Sequence, residues 1–247
     1  MSEADSHPYM MCRLECPSSY LKALDDWIPK HLDDSLVHHA VTSAANYEMV
    51  RDFQSLPSVL NNHGNRMVIY ATSDLDGCVD WLDSPAIRGA IEDGVDRESQ
   101  YPPLDGEPFI GNIYAVDSVI GSHDGDFIPG GWSFVERFEV PAADKAAFDS
   151  WITEHGKRLS QLPGAVRTRS WTQYRDAPMR FPYDRYRSKG NRMVSAEFGP
   201  DSAYAETVND AAFRSALADS VAKWDASLPY VRRDVATNII VRNTGDA

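Results

Sequence analysis

The chain has 247 residues, 43% hydrophobic and 25% charged, which is enough to bury one large core or two of ordinary size. A formal net charge of −13 without a Lys/Arg cluster excludes nucleic acid as an expected partner, and no run approaches the ~20 apolar residues of a membrane helix. The opening MSEADSHPYMM lacks the order of a secretory signal, so a cytoplasmic location is expected, with Cys12, Cys16 and Cys78 as buried thiols.

Along the chain, a first strand is expected over about 9–16, ended by Pro17, with Cys12 and Cys16 pointing the same way. A helix over about 18–35 puts Leu24, Trp27, Ile28 and His31 on one face. Strands follow at about 40–50 and 65–72, then a second helix over about 75–93 carrying Ile87 and Ile91, then a strand at about 109–117. The stretch 123–131 is rich in Gly and Asp and breaks both periods, so it reads as a linker between repeats at 1–122 and 132–247. Beyond it the order recurs: strand 132–140, helix 142–160 with Phe148, Trp151, Ile152 and His155, strands 164–175 and 191–198, helix 201–220 with Phe213 and Leu217, and strand 232–242. The basic stretch from Arg175 to Arg192, interleaved with Tyr183, Asp184 and Tyr186, reads as a solvated loop.

The recurrence extends to individual letters. An offset of 124 aligns Arg13-Leu14-Glu15-Cys16-Pro17 with Arg137-Phe138-Glu139-Val140-Pro141, Trp27 with Trp151, His31 with His155, Tyr47 with Trp171, and Arg51-Asp52 with Arg175-Asp176. An offset of 126 then aligns Asn65-Arg66-Met67-Val68 with its identical copy Asn191-Arg192-Met193-Val194, and Asn112 with Asn238. The chain is therefore read as α+β, two fused ferredoxin-like βαββαβ repeats. Each antiparallel sheet has helices on one face only, so the bare faces are expected to cover one another in a pseudo-dimeric α/β barrel with a ligand cavity between them.

The second copy's Phe148-x-x-Trp151-x-x-x-His155 leads into Leu162-Pro163-Gly164 and a strand. This run resembles the EthD-like branch of the dimeric α/β barrel superfamily, and the broader likeness covers essentially the whole chain. The first copy keeps Leu24, Trp27 and His31 but has Val37-His38-His39-Ala40 in place of Leu-Pro-Gly. The resemblance implies a small aromatic or polyketide-like substrate. It leaves the reaction open, because the superfamily spans monooxygenases, cyclases, isomerases, dehydratases, decarboxylases and haem enzymes.

His31 and His155 are the candidate catalytic residues, since an imidazole titrates near neutrality and each follows a tryptophan that could lock it at the cavity rim. Their alternative is a helix-terminal histidine bonded to a carbonyl. Strand alternation points Arg13 and Arg137 into the cavity with Glu15 and Glu139, to hold a carboxylate or an enolate, or else to form a structural ion pair. Asn112 and Asn238 could orient a carbonyl; Tyr47 and Trp171, with Trp27 and Trp151, offer aromatic walls or plain core. His38, His39, His63 and His123 occur in the first copy or the linker alone. A metal shared by His31, His38 and His39 is not expected, because a helix end and a strand start do not share a tetrahedron. No cofactor is expected, and no G-x-S-x-G, Walker, H-E-x-x-H or G-x-G-x-x-G signature occurs. The functional expectation is a cofactor-independent lyase or isomerase acting on a small hydrophobic aromatic or carbonyl compound. The alternatives are a cofactor-free monooxygenase and a non-catalytic binding protein, as a monomer or a homodimer.

Overall fold

The computed structural model describes residues 7–51, 57–60, 64–85, 87–89, 109–177 and 189–244. Asp52, His63, Ile91, Tyr183, Asp184 and Tyr186 lie outside these residues, as do the first six positions. The first half contains β1 (Pro8–Leu14), α1 (Ser18–Leu36), β2 (Val41–Met49), β3 (Arg66–Thr72), α2 (Leu75–Leu82) and β4 (Phe109–Gly121). The second contains β5 (Trp132–Phe138), α3 (Lys145–Ser160), β6 (Ala165–Gln173), β7 (Arg192–Phe198), α4 (Tyr204–Thr207), α5 (Ala211–Trp224) and β8 (Val231–Asn243).

Two details differ from the sequence pattern. The second helix of the second repeat is two helices, because Asp210 starts a new one by accepting from the backbone N–H groups of Ala212 and Phe213. In the first repeat α2 likewise stops at Leu82. Cys16 does not share a strand with Cys12: β1 ends at Leu14, and the side chain of Asn65 bonds both the N–H (2.9 Å) and the C=O (2.6 Å) of Cys16. Asn191 makes the same pair of bonds to Val140 at 2.8 and 2.9 Å. The ion pairs Arg66–Asp25 and Arg192–Asp149 also repeat, as do Arg51–Glu15 and Arg175–Glu139. The identical letters of the repeat are thus joints of the fold.

The strands close into one eight-stranded ring, in the order β1, β3, β2, β8, β5, β7, β6, β4 and back to β1. Every neighbouring pair is antiparallel, and the two sheets join edge to edge along β2–β8 and β4–β6. Joining edges this way leaves no strand edge unpaired among them. The helices lie outside. Along β5, Trp132, Phe134 and Phe138 face the helix layer, whereas Val135 faces the axis.

The axis itself is filled. Met11, Tyr47, Met67, Trp171, Met193 and Ala236 converge there, each at most 5% exposed. A void able to hold a guest would leave accessible area on them, so the expected cavity between the sheets is not found among these residues. The geometry gives the reason: a barrel of about eight strands is just wide enough for its own side chains. One end is closed by the segment after β4, where Phe127 and Ile128 are buried and Asp126 accepts from Tyr9 (2.7 Å) and Ser43.

Candidate active site

Amphipathic helices turn their apolar faces to the sheet they cover, so the Trp and His pairs of α1 and α3 point at the outer face of the barrel wall. They do not reach the axis. In both halves the imidazole stacks on the preceding indole: Trp27 and His31 have ring centroids 4.2 Å apart, and Trp151 and His155 4.5 Å. The sheet stands between these histidines and the barrel interior, which corrects the expectation that they sit on the rim of an internal cavity.

Beyond that shared stack the two sites part. His155 is 0% exposed, and its Nε2 lies 2.5 Å from Oε2 of Glu136. Oε1 of Glu136 accepts from Ser220 (2.7 Å) and from Nε of Arg233 (2.8 Å), and Arg233 continues to Asp225 at 2.7 Å. Burial alone would raise the Glu136 carboxyl, but attraction to His155 and Arg233 and these hydrogen bonds hold it below the ordinary carboxylate range. Helix α5 seals the network, with Trp224 packed on Phe148 (5.2 Å) and on Trp151 (5.5 Å).

In the first half Cys12 stands where Glu136 stands, so His31 has no ionic partner on the strand. Its ring meets Tyr70 edge-on at 6.0 Å and makes no hydrogen bond among the described residues. Burial lowers its pKa to about 4, and the same apolar surroundings push the Cys12 and Cys78 thiols up to about 12. All three groups are therefore uncharged at neutral pH. This face is also open: Trp27 is 44% exposed and Cys12, Leu14, Leu24 and His31 are half-buried, whereas their counterparts Trp151, Glu136, Phe138, Phe148 and His155 are 0–5% exposed. The repeat sets Glu98, outside the described residues, against Trp224, so the aromatic wedge that closes the second half has no counterpart at that place in the sequence.

The remaining predicted residues serve the barrel. Arg13 and Arg137 do face the axis, each 1% exposed, but they meet Asp234 and not Glu15 or Glu139, which pair with Arg51 and Arg175 at the rim. Asn112 accepts from Gln173 (2.5 Å), and Asn238 donates to the carbonyl of Ile128 (3.1 Å). Tyr47 and Trp171 are core, and the Trp171 indole donates to Ser195 (3.0 Å) beneath Arg169. His38 lies 3.4 Å from Asp80, apart from His31, and among the described residues no three His, Cys, Asp or Glu side chains are placed to hold a metal. A cleft of about 490 Å³ on the second half is lined by the carboxylates of Asp201, Glu206 and Asp210 and the hydroxyls of Ser202 and Thr207, with no histidine, cysteine or cationic side chain among its lining residues.

Sequence reasoning missed Glu136 and Asp234. Glu136 had a signal, an acidic residue in strict alternation with Trp132, Phe134 and Phe138 on the helix-facing side. Asp234 had none, being far in sequence from both arginines that it serves.

No family model and no curated protein matches the chain. Among solved structures, an anthrone oxidase-like protein superposes with a TM-score of 0.65 at 11% identity, over 100% of this chain and 97% of that one. A candidate monooxygenase from Fusobacterium nucleatum gives 0.59 at 10% identity over 97% and 95% of the two chains. One from Lactobacillus acidophilus gives 0.54 at 12% identity over 97% of each. At such identities the likeness carries the fold, and the fold is that of a dimeric α/β barrel whose two repeats share one chain.

Proposed function

We propose that the chain is a cofactor-free oxygenase of small phenolic or anthrone-like aromatics, with its working site at His31 on the open face of the first half. The observation that carries this reading is the contrast between two equivalent histidines, one sealed in an ionic network and one uncharged, unbonded and reachable. Trp27 supplies a flat stacking surface beside it, and Tyr70 and Cys12 supply an apolar floor. The names carried by the three similar structures are in keeping with such chemistry.

The lowered pKa of His31, caused by its burial, supports a reaction that starts from an acidic hydroxyl. A base whose conjugate acid ionises near 4 faces a gap of about 6 units with a phenol of pKa ~10, or about 8 kcal/mol, part of which ion pairing with the new phenolate recovers. An ordinary carbon acid is far weaker than a phenol, and this base does not suit it. Proton abstraction by the lyase or isomerase route is therefore the poorer match. An anthrone is acidified by its enol form. In the proposed reaction His31 takes the proton from that hydroxyl, and the enolate gives its electrons to dioxygen. A C–O bond forms at the former methylene carbon, and water leaves as the carbonyl appears. Substrate and dioxygen together balance the step, with the substrate as the only reductant.

The test is dioxygen uptake with anthrone as probe. The expected result is uptake matching quinone formed one for one, with kcat/KM lowered at least ~100-fold in His31→Ala. Turnover without dioxygen uptake would return the lyase or isomerase reading, and an unimpaired His31→Ala would remove His31 from the chemistry.

A further inference from the structure

The strand ladders show an equivalence that the repeated letters hide. In the alignment of the two copies Gly111 falls against Thr237, one place before Asn112 and Asn238. In the barrel, however, Gly111 of β4 lies opposite Cys12, and Arg233 of β8 lies opposite Glu136. Cys12 and Glu136 are themselves equivalent, so the buried acid–arginine pair of the second half corresponds to a cysteine–glycine pair in the first. Two long polar side chains of one helix–sheet layer are exchanged for a thiol and a hydrogen atom.

The exchange leaves a trough on the outer face of the first sheet. Beneath a layer of helices, a strand residue keeps accessible area only where the cover has a gap. Cys12 and Leu14 of β1 are half-buried, whereas Glu136 and Phe138 are 0% exposed. On the α1 side stand Leu24, His31 and Trp27, the last 44% exposed, so the trough is reached from solvent along that helix. At Gly111 its floor yields easily. A Cβ built there would stand 2.7 Å from the terminal methyl of Met10, the end of a flexible side chain, and 3.7 Å from Sγ of Cys12.

The trough also favours guests without charge. The Cys12 thiol and the His31 imidazole are both uncharged at neutral pH, through burial. The nearest charged neighbours are already paired: Arg66, opposite Leu14 in the ladder, with Asp25 and Glu48, and Lys30, beside His31 on α1, with Asp34. A carboxylate carried in by a guest would give up water there and gain no cation in return.

We propose that Gly111 is a specificity-determining residue of the His31 site: the second fused ring of an uncharged planar aromatic lies over Gly111 and Cys12, in the space that Arg233 and Glu136 fill in the other half. The proposal rests on the reading of the His31 face as the working site, and it narrows the substrates to neutral compounds of more than one ring.

The experiment is calorimetric binding to the full chain at pH 7, with 1-naphthol, its carboxylate derivative 1-hydroxy-2-naphthoate and single-ring phenol as probes. The unaltered chain should bind 1-naphthol at least ~10-fold more tightly than 1-hydroxy-2-naphthoate, a comparison that needs no variant to fold. Gly111→Ala, whose added methyl displaces the end of Met10, should weaken 1-naphthol ~10-fold and leave phenol within about twofold. Equal affinity for the charged and neutral naphthols, 1-naphthol binding unmoved by Gly111→Ala, or an equal loss for 1-naphthol and phenol, as a purely structural role would give, would each overturn the proposal. Dioxygen uptake with anthrone is read separately. Binding that follows ring count and Gly111 without uptake sinks the oxygenase reading and leaves the specificity site standing; uptake by a chain whose binding ignores Gly111 does the reverse.

Discussion

The two halves share strand order, helix placement and the Trp-on-His stack, yet one closes its helix–sheet layer with charge and aromatic bulk and the other leaves it open. The difference begins with single residues: Glu136 against Cys12, Phe148 against Leu24, Phe138 against Leu14. A carboxylate under His155 recruits Ser220 and Arg233 and commits the imidazole to a structural role. A thiol under His31 recruits nothing, and the imidazole stays neutral and accessible. A duplicated chain can in this way hold its shape with one copy and keep the other copy's site available.

The largest expected contrast comes from the strand residue itself. Glu136→Ala strands His155 and Arg233 in a fully buried layer and should cost about 3–5 kcal/mol in urea unfolding, whereas Cys12→Ala should cost about 1 kcal/mol or less. Near-equal losses would break the comparison. Next come the indoles: Trp151→Ala should cost about 3–5 kcal/mol and Trp27→Ala less than about 1 kcal/mol, since one is 5% and the other 44% exposed. Stability measured between pH 7 and pH 4 sharpens the same point. His31 is lowered from its usual ~6.5 to about 4, so in that window the unfolded chain binds a proton that the folded chain refuses, and stability falls by roughly 3 kcal/mol as pH drops. The depressed Glu136 carboxyl protects down to its usual range and loses its contribution as pH falls further, through its folded value. His31→Gln should flatten the upper window only; an unchanged pH slope would contradict a buried neutral His31.

Much of the fold was legible in the sequence because repetition is a property of order: Asn65-Arg66-Met67-Val68 and its copy locate equivalent joints without any coordinates. Alternation also placed Arg13 and Arg137 on the axis correctly. The space around them was not legible, because whether Tyr47, Trp171 and the methionines fill a barrel depends on their summed volume against the strand count. The histidines were misplaced for a different reason. Helical periodicity gave their face, and that face meets the outer side of the sheet, so the wall itself shuts them off from the interior. The ionic partner of His155 lay 19 residues away on another element, a pairing only the register of β5 under α3 reveals.

The central claim is that a flat aromatic guest meets His31 and never His155. Ring-labelled histidine NMR of the full chain, titrated with 1-naphthol, tests it without requiring turnover. The account predicts that the His31 ring signals shift saturably while those of His155 stay fixed; His155 signals that move, or His31 signals unmoved at saturating 1-naphthol, would contradict it.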